Sequence, residues 1–186
     1  PLCGIALAED GTCPKCGYEH AYGNECDKCF ANLEPAQLIN PRSAVDPSSP
    51  VEMRETKHLY FRTSAMQDKL RTWIDSRKGW SKTALAIANK WLAEGLQDSP
   101  ITRDLKWGIP VNKPGYENKV FYVWFDAPWG YVSISQAAND NWADWWHGGD
   151  DVTYAQFMAK DNVSFHSIFF PAQELAMDDN WKTVDI

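Results

Sequence analysis

The sequence predicts an α/β protein with parallel strands, and two runs carry that prediction. Val120 to Phe125 (V-F-Y-V-W-F) is unbroken apolar and aromatic, too short for an ordinary helix and rich in strand formers. Such a run reads as a strand buried on both faces. It breaks at Asp126-Ala127-Pro128, with Gly130 close behind, so the strand is expected to end in a tight turn. Val152 to Met158 reads as a second strand and runs into the charged turn Ala159-Lys160-Asp161-Asn162. Open parallel sheets bind ligands just beyond the carboxyl ends of their strands, so the two turns are expected to flank one crevice.

At 186 residues, with 44% hydrophobic and 23% charged content, the chain can bury a sizeable core in one or two domains. Ten tryptophans make large aromatic contacts a theme. A formal charge of −7 argues against wide, unspecific nucleic-acid binding while leaving room for a local RNA contact. Neither a membrane-spanning apolar run nor a signal-peptide pattern is visible, and a cytoplasmic location is the expectation.

In order along the chain, residues 1–50 come first. Four of the five cysteines form two C-x-x-C pairs, Cys13/Cys16 and Cys26/Cys29, separated by nine residues. Two residues between thiolates let both sulfurs of a knuckle reach one ion, and two knuckles complete a tetrahedral four-sulfur shell. The alternative is a disulfide module, but regular C-x-x-C pairing in a cytosolic-looking sequence favours structural zinc. Gly17 permits the left-handed backbone a knuckle often uses, and Tyr22-Gly23-Asn24 supplies turn chemistry between the pairs. Cys3 is left over and reads as a small buried hydrophobe. His20 reads as an ordinary histidine beside four better ligands. From Leu33 to Pro50 the chain is polar and proline-rich, an extended exit from the module.

Lys57 to Arg62 reads as a short strand. Ser64 and Gln67 have capping-box spacing ahead of a helix with Met66, Leu70, Trp73 and Ile74 on one face. A second helix is expected from Ser81, with Leu85, Ala88, Trp91 and Leu92 as its stripe and Gly95 as its stop. In Ile101 to Pro110, Arg103 and Asp104 are charges among apolar residues. They read either as a surface salt bridge or as an arginine locked to Asp126 or Asp161. After Tyr131 a helix-compatible stretch runs through Trp142, Trp145 and Trp146. His166 then lies among Phe165, Phe169 and Phe170. A histidine so placed is commonly a core residue, although Lys160 and Asp161 nearby raise the case for function.

Six motifs in one order carry a resemblance: C-P-K-C-G-Y-E-H-A-Y-G-N-E-C-D-K-C, L-I-N-P-R-S, the isolated His58, I-T-R-D-L-K-W-G-I-P-V, K-V-F-Y-V-W-F-D-A-P-W-G-Y and F-M-A-K-D-N-V-S-F-H-S-I-F-F-P-A. Over about residues 3–175 the chain resembles the methionyl-tRNA synthetases, class I aminoacyl-tRNA ligases. The resemblance implies the C-terminal half of a Rossmann-type catalytic domain over residues 51–186, with a helical link, and a small zinc-knuckle connective insertion over residues 1–50. It implies that Trp124, Ala127, Pro128 and Tyr131 line a methionine pocket completed by Asn162 and His166. Phe165 and Phe170 would be its aromatic wall, and Arg103 with Asp161 the charged pair that fixes the wall. The partners it implies are methionine, ATP with Mg, and tRNA. The reaction it implies is ATP-dependent activation of methionine and transfer to tRNA.

Ala159 stands where the family places glycine, Trp129 where it has a smaller aliphatic residue, Asn112 for a second proline, and Asn24-Glu25 for Asp-Gln. Of these, Trp129 is expected to crowd the site. Neither an H-I-G-H-type nor a K-M-S-K-S-type motif occurs in this sequence. The chain reads as an internal fragment that supplies amino-acid specificity and is inactive by itself. The competing readings are a non-catalytic zinc-binding module for RNA or protein, and a methionine-sensing pseudo-enzyme.

Overall fold

A computed structural model describes residues 9–23, 26–29, 31, 33, 35–49, 51–52 and 55–186. Cys3, Asn24 and Glu25, on which expectations were placed, lie outside the described residues. The described chain forms two compact units. The first takes in the described residues up to His58, with Arg103–Trp107 and Val111–Val120; the second comprises Leu59–Thr102, Gly108–Pro110 and Phe121–Ile186.

In the first unit β1 (Glu9–Thr12) is the middle strand of a three-stranded antiparallel sheet between β2 (Ala21–Tyr22) and β3 (Ile39–Ser43). Cys13, Ala21, Cys26, Ala31, Leu33 and Leu38 form its small core. A core of that size is thin, so this unit depends on more than apolar burial. Arg42 of β3 ties the sheet to the loop beside it. Its Nη2 donates to Asp10 Oδ2 at 2.9 Å and to the Glu19 carbonyl at 2.9 Å. His20 also meets Asp10 Oδ2, at 3.1 Å, and so is engaged away from the cysteines.

The second unit holds the larger core. β4 (Tyr60–Phe61) pairs antiparallel with β5 (Ser99–Pro100). β6 (Thr102–Arg103) and β7 (Val120–Phe121) make another two-stranded sheet, at residues where the chain changes units. α1 (Gln67–Asp75) buries Leu70, Trp73 and Ile74, and α2 (Lys82–Glu94) buries Ala88 and Leu92, as their spacing predicts. Ser81 caps α2 by accepting from the Ala84 amide at 3.1 Å, and Gly95 ends it at φ +82°. The capping box expected at Ser64 is not formed. Its hydroxyl donates to Asp98 Oδ1 at 2.6 Å, while Gln67 spans the end of α2, donating to the Leu92 carbonyl and accepting from the Leu96 amide. A side chain that can satisfy two loose groups at a neighbouring helix end outcompetes the local box.

The run Val120–Phe125 departs from expectation. Only Val120 and Phe121 are strand, and the chain then winds into α3 (Val123–Asp126), with the Phe125 amide on the Tyr122 carbonyl at 2.8 Å. Short apolar runs are ambiguous between strand and buried helical turn, and here the helical turn wins. α4 (Trp129–Ala138) follows directly, with Pro128 at its start, where a missing amide costs least. α5 (Trp142–Trp146) packs beneath α4, burying Trp146 with Val132 and Phe170. Residues 152–158 are extended, their exposure alternating as a strand's would, but they pair with the chain's end: the Gln156 amide donates to the Ile186 carbonyl and the Asp185 amide to the Tyr154 carbonyl.

Candidate functional site

Pro171 shapes the helix that carries His166. It has no N–H to offer the carbonyl of Ser167, and Phe165–Phe169 form a π turn in which the Phe170 amide reaches the Phe165 carbonyl five residues back. α6 (Phe170–Met177) then continues the rod. Turns of this kind re-aim side chains, and this one buries His166, Ser167 and Ile168 while leaving Phe165 half-buried.

A cavity of about 220 Å³ opens between α3, α4, the extended residues 156–158 and this turn. It is lined by Trp124, Ala127, Pro128, Tyr131, Gln156, Phe157, Met158, Asn162, Phe165 and His166. Trp124 stacks on Phe165 with centroids 5.3 Å apart and planes 29° from parallel, forming an aromatic wall. Opposite it lies one polar edge. His166 Nδ1 is 2.9 Å from the Asn162 carbonyl, which can only accept, so that nitrogen carries the proton. In the neutral ring Nε2 then accepts from the Tyr131 hydroxyl at 2.9 Å. Gln156 Nε2 approaches the same hydroxyl at 3.5 Å, and its Oε1 accepts from Tyr154 at 2.6 Å. Among the described residues none that lines it is an acid, a lysine or an arginine, so the cavity suits an uncharged, polarizable side chain.

The first unit carries a second constellation. Sγ atoms of Cys13, Cys16, Cys26 and Cys29 all lie within 4.8 Å of one another, with Cys13 to Cys29 at 3.9 Å and Cys16 to Cys26 at 3.6 Å. Four sulfurs at about 2.3 Å from a tetrahedral zinc would stand about 3.8 Å apart, so the cluster has the dimensions of a metal shell. Gly17 takes φ +72° and its amide bonds to the Cys13 carbonyl at 2.9 Å, closing the first knuckle as expected. Burial would raise the Cys13 thiol, yet the Lys15 and Cys16 amides outweigh it and bring the group down to about 7. The Tyr18 amide lowers Cys16, but burial and the three neighbouring thiols drive it up to about 12. Four sulfurs at this spacing could hold a metal ion.

The family described as tRNA synthetases class I (M) matches residues 7–185 of the chain. The chain belongs to that family. It is 50% identical to the methionine–tRNA ligase of Maricaulis maris over 188 residues, covering 95% of this chain and 33% of that protein. It is also 50% identical to methionine–tRNA ligase 1 of Acaryochloris marina, covering 94% of this chain and 32% of that one. The chain thus spans about a third of the length of the curated relatives it matches. A crystal structure of Mycobacterium tuberculosis methionyl-tRNA synthetase bound by methionyl-adenylate superposes at a TM-score of 0.59, over 78% of this chain and 28% of that one. At 24% identity that likeness speaks to the fold alone: a class I synthetase fold of mixed helices and strands.

Within this class I synthetase chain, Trp124, Ala127, Pro128, Tyr131, Asn162, Phe165 and His166 come together at the cavity. Phe170 does not line it. It is 2% exposed and packs behind the cavity, its ring 6.5 Å from Tyr131 and 5.3 Å from Trp129. Asp161 sits exposed on the short helical turn Lys160–Asn162, and Arg103 is buried in the first unit. Asp104 is held by Lys119 Nζ at 2.5 Å and Thr56 Oγ1 at 2.7 Å, with His58 Nε2 at 3.6 Å. Burial, and then the Lys119 charge, hold the His58 imidazole below its ordinary range against the pull of Asp104.

Trp129 does not crowd the cavity. Its indole turns inward to Phe170 and Trp181, donating to Gln173 Oε1 at 2.7 Å. Gln156, Phe157 and Met158 line the cavity and were not singled out as site residues. Their signal was present in the reading of residues 152–158 as an extended segment ending at the crevice.

Proposed function

We propose that the cavity in the second unit is the methionine side-chain pocket of a methionine–tRNA ligase, of which these 186 residues are one part. The observation that carries this reading is the convergence of seven expected residues on one cavity. It is smaller than the roughly 300–1,000 Å³ of sites for drug-sized ligands, and suits a single amino-acid side chain. The Trp124–Phe165 wall offers ring faces and edges to a thioether, and the Tyr131–His166 edge marks the position of the sulfur. Asp161 is assigned to the charged pair that fixes the wall, with Phe170 as the support behind it.

Residues 1–50 are assigned as a zinc-bearing connective insertion, and residues 51–186 as the second half of the catalytic domain. Cys13, Cys16, Cys26 and Cys29 would hold the zinc, in a closed shell that folds the insertion and leaves no open position for chemistry. ATP with Mg and tRNA are the further partners of the full protein, and its location is assigned as cytoplasmic. Among the described residues no helix is long and apolar enough to cross a membrane.

Methionine binding to the 186-residue chain, followed by tryptophan fluorescence and calorimetry, tests the reading. Binding is expected, weakened about tenfold by Tyr131→Phe, which removes one hydrogen bond at the polar edge. Equal affinity for methionine and glutamate, or no binding at all, would sink it.

A further inference from the structure

We infer that Gln173 is a positioning residue for this pocket: its buried amide holds the turn at Asp126–Pro128 in place from behind, by donating to the carbonyl of Phe125. The inference rests on the pocket reading above, but its geometry stands separately. Gln173 is 5% exposed and touches no part of the cavity lining by hydrogen bond. Its Nε2 donates to the Phe125 carbonyl at 3.1 Å, and its Oε1 accepts from the Trp129 indole at 2.7 Å. The two partners bracket Asp126-Ala127-Pro128, where the chain passes from α3 to α4.

That passage needs outside support. Pro128 has no N–H, so the regular helical ladder cannot run through it. Across the turn the Ala127 amide bonds to the Val123 carbonyl at 2.8 Å and the Gly130 amide to the Ala127 carbonyl at 2.9 Å. The Phe125 carbonyl, one residue before the turn, is taken by a side chain from α6 instead. Trp124, Ala127, Pro128 and Tyr131 lie on either side of the clamped atoms, so a shift of the turn moves four of the ten cavity-lining residues. The Trp129–Gln173 bond orients the amide so that its nitrogen, not its oxygen, faces the carbonyl. A wide indole at position 129 is thus accommodated by a polar partner on α6 and not by the pocket.

Two roles must be told apart: satisfying the buried indole, which is structural, and holding the Phe125 carbonyl, which positions the pocket. Gln173→Met removes both bonds, and W129F/Q173M also removes the indole that Q173M leaves without a partner. Amide hydrogen exchange at Ala127 and Gly130 reads the turn without any ligand. Expected is exchange about tenfold faster at both amides in Q173M, with methionine affinity lowered by a similar factor. In W129F/Q173M thermal stability returns toward that of the parent while exchange stays fast and affinity stays low. If the double variant restores slow exchange together with stability, Gln173 serves only the indole and the inference is overturned. Should Q173M not fold, W129F/Q173M compared with W129F decides: faster exchange at both amides in the double variant is expected, and equal exchange in the two would overturn the clamp. A parent chain that does not bind methionine at all ends the pocket reading, while the exchange measurements still decide the clamp.

Discussion

Glu174 is the residue whose chemistry fits its surroundings least. It is 3% exposed, and both carboxyl oxygens are buried without a hydrogen-bond partner. Burial pushes its carboxyl from the ordinary 4.5 up to about 9. Between those values the folded chain keeps a proton that the unfolded chain has released. Stability from this group is therefore intact below about pH 4.5 and falls as pH rises toward 9. At pH 7 the accumulated cost is roughly 3 kcal/mol, from about 1.4 kcal/mol per pH unit. Glu174→Gln is expected to be the more stable chain at neutral pH and to lose this slope in thermal denaturation between about pH 5 and about pH 8. Identical slopes in the two proteins would show that the carboxyl is not held protonated. Nothing in the sequence singles Glu174 out, because a glutamate two residues past Ala172 on a helix has the look of a solvated position. His166 was a candidate only through its nearness to Lys160 and Asp161, since a histidine on an apolar face is commonly a core residue, and its partners Tyr131 and the Asn162 carbonyl depended on how the chain folds back.

At the scale of elements, legibility followed how local the deciding interaction is. α2 was readable from end to end, because Ser81, its stripe and Gly95 all act within the helix. The cysteine knuckles were readable for the same reason: two residues between ligands is a local constraint, and the four sulfurs do converge. The start of α1 was not, because Ser64 and Gln67 bond to Asp98, Leu92 and Leu96 across the fold. The Val120–Phe125 run failed as a strand over most of its length because six apolar residues fit a buried turn equally well. The first unit's small core leads to a prediction: one zinc per chain, with Cys16→Ser abolishing stoichiometric binding and unfolding that unit. Loss of β1–β3 amide protection on chelation, with α1 and α2 still protected, is the measurement that checks it. Retained protection after complete removal of metal would mean that the sheet and its Arg42–Asp10 tie suffice.

At the scale of the whole molecule, the class I synthetase assignment was legible because six motifs fall in one order, and motif order survives where element boundaries do not. Among the described residues none that lines the pocket is charged to meet a free amino acid's ammonium and carboxylate, and the sequence carries neither an H-I-G-H-type nor a K-M-S-K-S-type motif. The 186-residue chain is accordingly expected to bind methionine without supporting ATP–pyrophosphate exchange; exchange above background by this chain would contradict that. The path of the backbone bears on how the protein can be taken apart. It passes from one unit to the other after His58, Thr102, Trp107, Pro110 and Val120. A protease that nicks near residue 50 would therefore leave the cysteine-bearing piece behind by non-covalent association with residues 103–107 and 111–120, not as a clean fragment. Neither unit can be expressed by shortening the gene from one end, and a dissection that respects the fold has to rejoin the chain in at least two places.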